Sequence, residues 1–335
     1  MPWHLFSWQT YLIGLTTLYG AIAAWREDRV AYPGQRIDVG GYQLHLAIVP
    51  AAPDLENPVT LVLDHSLGGV EGYLMAEQLA IVGTVCFFDR AGYGWSDHSP
   101  HARTSDRIVT EIDRGLTAAG IAPPYLLVGD SFGSYNMRLY AHRFPEKVAG
   151  LVLTDGLHEA GMLKMPIALH LLQSVFLAGF GVAIFGGIFG IQRVLRDLGF
   201  FALLKPELKR YSPQVLQPVT RSFCRMKHWV TMFRELWSLA DSGRSLQQAS
   251  QTQALPIDLP IASIKAASFF LPSWWTHFIP LKTANQLRDQ MHDRFSQLSD
   301  RCCRFEAPTS GHFVWTDQPE VMVEAVKWVK ERMKK

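Results

Sequence analysis

The chain has 335 residues, of which 48% are hydrophobic and 19% are charged. This composition fits one large globular domain, or a core with an insertion. The formal charge of +2 comes without a long basic run, so a nucleic-acid partner is not expected. The four cysteines show no Cys/His metal-ligand spacing. We therefore expect no disulfide framework, no metal and no cofactor, and the cysteine usage mildly favours a reducing compartment.

An uncharged apolar segment extends from Leu5 to Trp25. About 21 residues at 1.5 Å per residue would cross roughly 30 Å of hydrocarbon. Arg26 and Arg29 follow the segment, which predicts a membrane anchor over residues 1–30 with the rest of the chain on the cytoplasmic side. Two alternatives stay open. Gln9 and nearby threonines weaken the apolar stretch, as in an interfacial helix, and a cleaved signal peptide is possible although its basic n-region is absent.

Short apolar runs alternate with helical patterns up to Asp155, starting with a hairpin signal at Gly40-Gly41. Such alternation predicts a mainly parallel sheet with flanking helices and right-handed crossovers. Asp317 is expected to cap a final helix that has Pro319 in its first turn. The predicted strands are residues 36–39, 42–46, 60–63, 84–88, 125–128, 148–153, 260–264 and 304–307.

The alternation of strands and helices stops after the sixth strand. From His158 to about Leu255 the pattern is helical throughout. Within this part, residues 175–191 are glycine-rich and carry no charge. They fit either a covered apolar face or a membrane contact, including a second spanning hairpin. The predicted division is a core in two parts, residues 31–156 and 257–335, with a helical cap at residues 157–256.

The stretch Gly129-Asp130-Ser131-Phe132-Gly133 stands between a predicted strand and a predicted helix. A serine on such a turn occupies a strained corner at the carboxyl end of a sheet, and the glycines leave room for close backbone approach. The helix amino terminus behind it favours developing negative charge. Ser131 is therefore the predicted nucleophile. The alternative is a solvated serine in a glycine-bordered turn.

A serine hydroxyl needs a base, and the base needs an orienting carboxylate. His312 follows the last predicted strand in a glycine-containing loop and is the predicted base, with His65 as the second choice. Asp155 ends the sixth strand and precedes His312, which gives the chain order serine, acid, histidine. The other position for an acid, residues 267–279, contains no carboxylate.

Acyl transfer passes through an oxyanion, which two aimed N–H groups stabilise by about 3 kcal/mol per donor. One predicted donor is the backbone N–H of Phe132, the residue after the nucleophile. The other lies in residues 65–69, and Leu67 is the choice there. A plain tight turn at Gly68-Gly69 is the alternative interpretation of that loop.

These motifs together resemble the α/β-hydrolase superfamily, in the branch of prolyl-aminopeptidase-like and esterase-like enzymes with a helical cap. Besides the elbow, the resemblance rests on residues 89–96, 150–155 and 310–313, and it covers about residues 33–332. It implies an α/β-hydrolase fold and a serine hydrolase that cleaves a lipophilic ester or amide through an acyl-enzyme intermediate. The expected partners are a small hydrophobic acyl substrate and, from the apolar segments at residues 5–25 and 175–191, a membrane.

The chain departs from the family pattern at three positions. Asp130 stands where many relatives carry histidine, Ser66 follows His65 where glycine is frequent, and the acid follows the sixth strand instead of the seventh. A serine nucleophile disfavours the dehalogenase and epoxide-hydrolase chemistries, which use a carboxylate. Two other functions stay open: an acyltransferase on the same triad, or a non-catalytic binding protein that keeps the fold.

Overall fold

The computed structural model describes residues 3–30, 33–204, 206–272 and 274–333. These residues form one eight-stranded sheet in the order β1-β2-β4-β3-β5-β6-β7-β8. The antiparallel β1–β2 hairpin pairs with β4 in antiparallel fashion, and all other pairs are parallel. The strands are β1 (Gln35–Asp38), β2 (Gln43–Val49), β3 (Val59–Asp64), β4 (Gly83–Asp89), β5 (Tyr125–Asp130), β6 (Val148–Thr154), β7 (Ile261–Ala266) and β8 (Cys302–Ala307).

Helices cover both faces of this sheet, because side chains on a strand alternate between the two faces. On β5, Leu127 packs with the apolar residues of the α3 and α4 side, whereas Leu126 and Val128 pack on the α2 and α14 side. This arrangement confirms the predicted fold class. The core helices are α2 (Gly72–Leu79), α3 (Ser105–Ala118), α4 (Gly133–Arg143), α12 (Leu281–Phe295), α13 (Val314–Asp317) and α14 (Pro319–Arg332).

A set of helices stands between β6 and β7, where the sequence predicts a cap. No strand occurs in the part of this segment that the structure describes. The helical cap after the sixth strand is therefore confirmed, while the exact domain boundaries stay a prediction. The cap helices are α5 (Glu159–Met162), α6 (Ile167–Ile188), α7 (Ile191–Asp197), α8 (Phe200–Leu204), α9 (Pro213–Phe223), α10 (Met226–Trp237) and α11 (Leu239–Thr252).

The long apolar helix α6 lies along α10 in the opposite direction. Near its start, the Gln173 amide donates to the carbonyl of Leu236 at 3.1 Å. Near its end, a Cβ on Gly187 would lie 2.9 Å from the Met226 backbone. Helix α6 is thus supported on one side over most of its length, although only Leu169 among its residues is buried.

The N-terminal helix α1 (Trp3–Glu27) docks on the cap through its second half. Gly20 makes this possible, because a Cβ there would lie 2.8 Å from the Cα of Gly190 in the α6–α7 turn. At the helix end, Glu27 forms ion pairs with Arg193, Arg196 and Arg225. Residues 8–15, by contrast, are all exposed. The first half of α1 therefore projects from the folded protein.

Candidate active site

Ser131 stands on a strained turn between β5 and α4. Its φ of 50° lies in the left-handed region, which is costly for a residue other than glycine. The turn is held by the Ser131 N–H, which donates to the carbonyl of Thr154 at 2.9 Å. It is also held by the Ser134 hydroxyl, which donates to the Ser131 carbonyl at 2.6 Å. The backbone thus fixes the direction in which the Ser131 side chain leaves the sheet.

The two glycines of the elbow are required by close backbone contacts. A Cβ on Gly129 would lie 2.6 Å from the carbonyl oxygen of Gly133. A Cβ on Gly133 would lie 2.4 Å from the carbonyl oxygen of Asp64, at the end of β3. No real Cβ tolerates either distance. The second contact also places the loop after β3 directly beside the elbow.

Asp155 and His312 form a close pair at the same edge of the sheet. The Nδ1 atom of His312 lies 2.6 Å from Oδ2 of Asp155. Asp155 directly follows β6, whose Thr154 is paired with Asp130 of β5, so the acid and Ser131 follow neighbouring strand ends. Asp155 itself has a φ of 37°, a second strained residue at this edge.

The Asp155 carboxylate is buried yet charged. Burial raises its pKa, but hydrogen bonds from His292 and His312 lower it more, and the pKa lies well below its ordinary value. The Ala266 N–H also donates to Oδ1 at 3.2 Å. A carboxylate in this state can hold the His312 Nδ1–H and stabilise an imidazolium.

The His312 ring is fixed by its surroundings as well as by Asp155. It stacks on Phe269 with the ring centroids 4.6 Å apart, and its backbone N–H donates to the Phe269 carbonyl at 3.3 Å. The Gly311 N–H donates to Oδ2 of Asp317 at 2.8 Å. The prediction that Asp317 caps the last helix is therefore wrong: Gln318 takes the cap position, and Asp317 instead ties down the His312 loop.

A second histidine, which no sequence motif indicates, contacts the acid. His292 of α12 is fully buried, and its Nε2 lies 3.4 Å from Oδ1 of Asp155. Its Nδ1 lies 2.8 Å from the Ser263 hydroxyl on β7. Only the pairing of distant elements brings this residue to the site, so sequence spacing could not reveal it.

The two predicted oxyanion donors lie in adjacent segments. Phe132 is the residue before α4, and Leu67 lies in the loop after β3. Among the described residues, no hydrogen bond uses the backbone N–H of Phe132 or of Leu67. Both N–H groups are thus available to a ligand oxygen, as an oxyanion hole requires.

His65 lies inside the protein and is poorly suited to act as the base. It is fully buried against Phe87, and burial lowers its pKa to about 4. Within the described residues, neither ring nitrogen has a hydrogen-bond partner. A neutral, enclosed imidazole supports a structural role in the loop after β3.

Arg90 connects this loop to the cap. Its guanidinium donates to the carbonyls of His65 and Ser66 at 2.9 and 2.8 Å. The same group pairs with Asp64 and, through two bonds of 2.8 Å, with Glu235 of the cap helix α10. All three side chains are buried. The cap therefore helps to hold the backbone that carries Leu67, a role of Glu235 that the sequence did not show.

The hydroxyl of Ser66, one of the departures from the family pattern, has its own partner. It donates to Oε1 of Glu71 at 2.9 Å. Burial raises the pKa of Glu71. The Ser66 hydroxyl thus already has a local hydrogen-bond partner, next to the Leu67 backbone.

The site is largely closed to solvent. Ser131 and His312 are each only 7% exposed. Two surface clefts of about 490 and 430 Å³ lie elsewhere and include neither residue. Within the described residues, no group of three or more histidine, cysteine or carboxylate side chains could hold a metal ion.

Comparison with known proteins gives matches in the first part of the chain. The family model for the alpha/beta hydrolase fold matches residues 59–180, a range that contains Ser131 and Asp155. An uncharacterized protein, YqjL, of Bacillus subtilis is 41% identical over 68 residues, which cover 20% of this chain and 27% of that protein. The (lyso)-N-acylphosphatidylethanolamine lipase of Bos taurus is 31% identical over 113 residues, covering 32% of this chain and 33% of the lipase. The chain thus spans a third or less of the length of these relatives.

Solved structures match almost the whole chain. The enol-lactonase from Burkholderia xenovorans has a TM-score of 0.59 at 14% identity, covering 89% of this chain and 100% of that structure. The epoxide hydrolase CorEH has a TM-score of 0.60 at 17% identity, covering 89% and 98%. At these identities the likeness shows the fold. The sheet order, the elbow and the match over residues 59–180 together show that the chain has the α/β-hydrolase fold.

Proposed function

We propose that this protein is a serine hydrolase that cleaves a lipophilic ester or amide through an acyl-enzyme intermediate. The observation that carries the proposal is the 2.6 Å contact between His312 and a buried, charged Asp155. It lies at the strand end beside the strained elbow of Ser131. A nucleophile, a base and an orienting acid on one sheet edge are the parts that acyl transfer needs.

Each group has one task in the reaction. Ser131 Oγ attacks the carbonyl carbon while His312 Nε2 takes the hydroxyl proton, and Asp155 keeps His312 Nδ1–H in place. The oxygen of the tetrahedral intermediate receives hydrogen bonds from the N–H groups of Phe132 and Leu67. The proton then passes from His312 to the leaving group as the acyl-enzyme forms. Water attacks the acyl carbon by the same route in reverse and frees Ser131.

An apolar substrate is supported by the cap residues that lie over the Leu67 loop. Phe223 and Met232 lie 3.8 and 4.0 Å from the Cβ position of Gly68. An acyl chain beside them would lose contact with water, which is favourable by about 0.8 kcal/mol per methylene. The lipase relative, which acts on an acylated phospholipid by its name, agrees with this substrate class.

A membrane as the source of that substrate is supported by the outer surface of the cap. By length and composition, α6 is the one helix of the described residues that could cross a membrane, with a mean hydropathy of 2.0 and only 6% of its apolar stretch buried. Its exposed side chains include Ile167, Leu171, Val175, Val182 and Phe185. An apolar surface of this size usually contacts another phase or another protein.

The packing of α6 favours a position in the interface over a crossing of the bilayer. Helix α6 lies along α10, which carries Lys227, Arg234 and Glu235. A spanning α6 would draw these charges into hydrocarbon, at a cost of several kcal/mol each. We therefore propose that α6 and the projecting half of α1 bind the membrane surface. The cytoplasmic orientation stays a prediction.

An active-site probe tests the proposed chemistry directly. A fluorophosphonate is expected to label the purified protein once, at Ser131, and Ser131→Ala is expected to abolish labelling. Ser296→Ala, a change of an exposed serine, is the matched control and keeps full labelling. If folded wild-type protein is not labelled, the proposal is wrong. A series of p-nitrophenyl esters of increasing chain length then defines the acyl group, and product analysis with an added alcohol distinguishes hydrolysis from acyl transfer.

A further inference from the structure

We propose that His292 is a positioning residue that holds the Asp155 carboxylate from the side opposite His312. The inference rests on the proposed function, because it assigns a role toward the same acid. Asp155 has two carboxylate oxygens, and each faces a different imidazole. Oδ2 lies 2.6 Å from His312 Nδ1, and Oδ1 lies 3.4 Å from His292 Nε2.

The orientation of the acid depends on what holds its second oxygen, Oδ1. The backbone of Asp155 has a φ of 37°, a conformation that residues other than glycine rarely adopt. A carboxylate that turns about its Cβ–Cγ bond would withdraw Oδ2 from His312. The Ala266 N–H holds Oδ1 at 3.2 Å, and His292 adds a second contact to the same oxygen. Together they fix the plane in which Oδ2 meets His312.

The His292 ring is itself fixed in place. Its Nδ1 lies 2.8 Å from the Ser263 hydroxyl, and Phe295 packs against it edge-on with the ring centroids 5.5 Å apart. Asp155 is a charged acceptor, so Nε2 must carry the proton that it donates to Oδ1. In the neutral ring, Nδ1 then accepts the hydroxyl proton of Ser263. Ser263 thus selects the tautomer that can hold the acid.

Among the described residues, the other charged groups near this pair do not hydrogen-bond to Asp155. Arg288, one turn earlier on α12, has Nε 3.9 Å from Asp155 Oδ1, which is too long for a hydrogen bond, and its Nη2 donates to the Ala267 carbonyl at 3.3 Å. The remaining groups on the packed elements pair among themselves: Lys265 with Asp289, Asp293 with Arg304, and His158 and Arg138 with Glu159. His292 is therefore the side chain placed to set the orientation of Asp155.

Loss of the His292 donor has a consequence for the pH profile. Asp155 with one donor fewer is a stronger base and holds the protonated His312 more tightly. In the variant, the acid limb of the pH–activity profile, the pH range over which activity rises from its low-pH minimum, would therefore lie at higher pH. A merely structural role would lower the amount of folded enzyme but would leave the profile of the folded fraction unchanged.

Two substitutions distinguish the contributions of the two ring nitrogens of His292. His292→Gln places an amide N–H near the Nε2 position and keeps the contact with Asp155. His292→Asn can reach only the Ser263 hydroxyl. We expect His292→Asn to lower kcat/KM about tenfold, as expected for one lost hydrogen bond to a charged group. We also expect the acid limb of its pH–activity profile to lie about half a pH unit higher than in the wild type. The kcat/KM of His292→Gln is expected to stay within about threefold of the wild-type value, and its acid limb is expected to lie at the wild-type pH.

Labelling of wild-type protein by the fluorophosphonate separates this inference from the proposed function. If the wild type is labelled and His292→Asn keeps the wild-type acid limb, the inference alone is wrong. The same holds if His292→Gln is as impaired as His292→Asn at equal thermal stability. If His292→Asn does not fold, Ser263→Ala replaces it, and we expect a smaller shift of the limb in the same direction. An unshifted limb in Ser263→Ala then overturns the inference.

Discussion

The candidate active-site edge of the sheet and the outer face formed by α1 and α6 both depart from the usual burial of apolar side chains and exposure of polar ones, but in opposite ways. At the sheet edge, charged and polar side chains are buried: Asp155 is 1% exposed and His292 is fully buried. On the outer face, large apolar side chains are in the open: Trp8 is 76% exposed and Ile167 is 75% exposed. Both arrangements cost free energy in water, and each therefore indicates a specific use.

The difference lies in how each region recovers that cost. The buried polar groups bond to one another inside the protein, so their geometry is fixed before any ligand arrives. The exposed apolar groups contact little within the described residues, and only a membrane or another protein can remove them from water. The first region thus indicates chemistry, and the second indicates a location.

Replacing the acid tests the first region most severely. Asp155→Asn keeps the size of the side chain and suits a positive φ, so the fold is expected to persist. The amide cannot hold the His312 tautomer that accepts the serine proton, and kcat is expected to fall about 10⁴-fold. Steady-state kinetics together with circular dichroism measure both effects. A folded variant with a loss of less than tenfold would show that Asp155 is not the orienting acid.

The next largest effect is expected from breaking the buried ion pair between Arg90 of the core and Glu235 of the cap. Glu235→Ala leaves Arg90 buried with one charged partner fewer, which is expected to cost about 3–5 kcal/mol of unfolding free energy. Asp241→Ala is the matched control, because its pair with Arg244 is more than half exposed on both sides and contributes about 0–1 kcal/mol. Urea unfolding measures both variants. Equal small losses would mean that the cap is not fixed to the Leu67 loop through Arg90.

The sequence predicts the elements whose signals are local. The strand-turn-helix pattern around Ser131 and the chain order of Asp155 and His312 depend on short runs of residues. The mainly parallel sheet and the helical cap follow from the alternation of strands and helices along the chain and its end after the sixth strand. The structure brings Asp155 and His312 together, while their catalytic roles stay proposals.

The contacts that the sequence does not predict join residues far apart in the chain. His292 meets an acid 137 residues earlier, and Glu235 meets an arginine 145 residues earlier. Nothing in their neighbours marks them, because burial and pairing arise only when helices pack on the sheet. Asp317 shows the reverse error: its position before Pro319 resembles a helix cap, yet tertiary packing gives it the Gly311 N–H instead.

The pH dependence of the unfolding free energy tests the buried His65, and the expected effect is smaller. Burial lowers the pKa of His65 to about 4, whereas an unfolded histidine titrates near 6.5. As the pH falls through 6.5 the unfolded chain takes up the proton first, so the stability present above that pH is lost progressively towards pH 4. His65 alone is expected to cost about 2 kcal/mol at pH 5.

Urea unfolding at pH 7.5 and pH 5 measures that loss. His65→Gln is expected to reduce the difference between the two pH values by about 2 kcal/mol. His170→Gln, a change of an exposed histidine on α6, serves as control and keeps the wild-type difference. A His65→Gln variant with the full wild-type difference would show that His65 is not held neutral in the folded protein.

The smallest effect is expected on the outer face, where a single side chain adds only its own apolar area. Leu12 is 63% exposed on the projecting half of α1. Leu12→Ser is expected to weaken binding to phosphatidylcholine vesicles about tenfold, since burying a leucine is worth about 1.5–3 kcal/mol. Gln9→Ser on the same half is the control and is expected to bind like wild type. Sedimentation with vesicles measures the binding.

The same Leu12→Ser protein sharpens the contrast between the two regions. Its kcat on a short, water-soluble ester is expected to equal that of the wild type, because Leu12 is exposed and α1 docks on the cap through its other half, at Gly20 and Glu27. Activity on a substrate presented in vesicles is expected to fall with the binding. If both activities fell together, α1 would act on the site itself. If vesicle binding did not change at all, the exposed apolar face would have to be covered by another protein, and a second copy would be the first to test by sedimentation equilibrium.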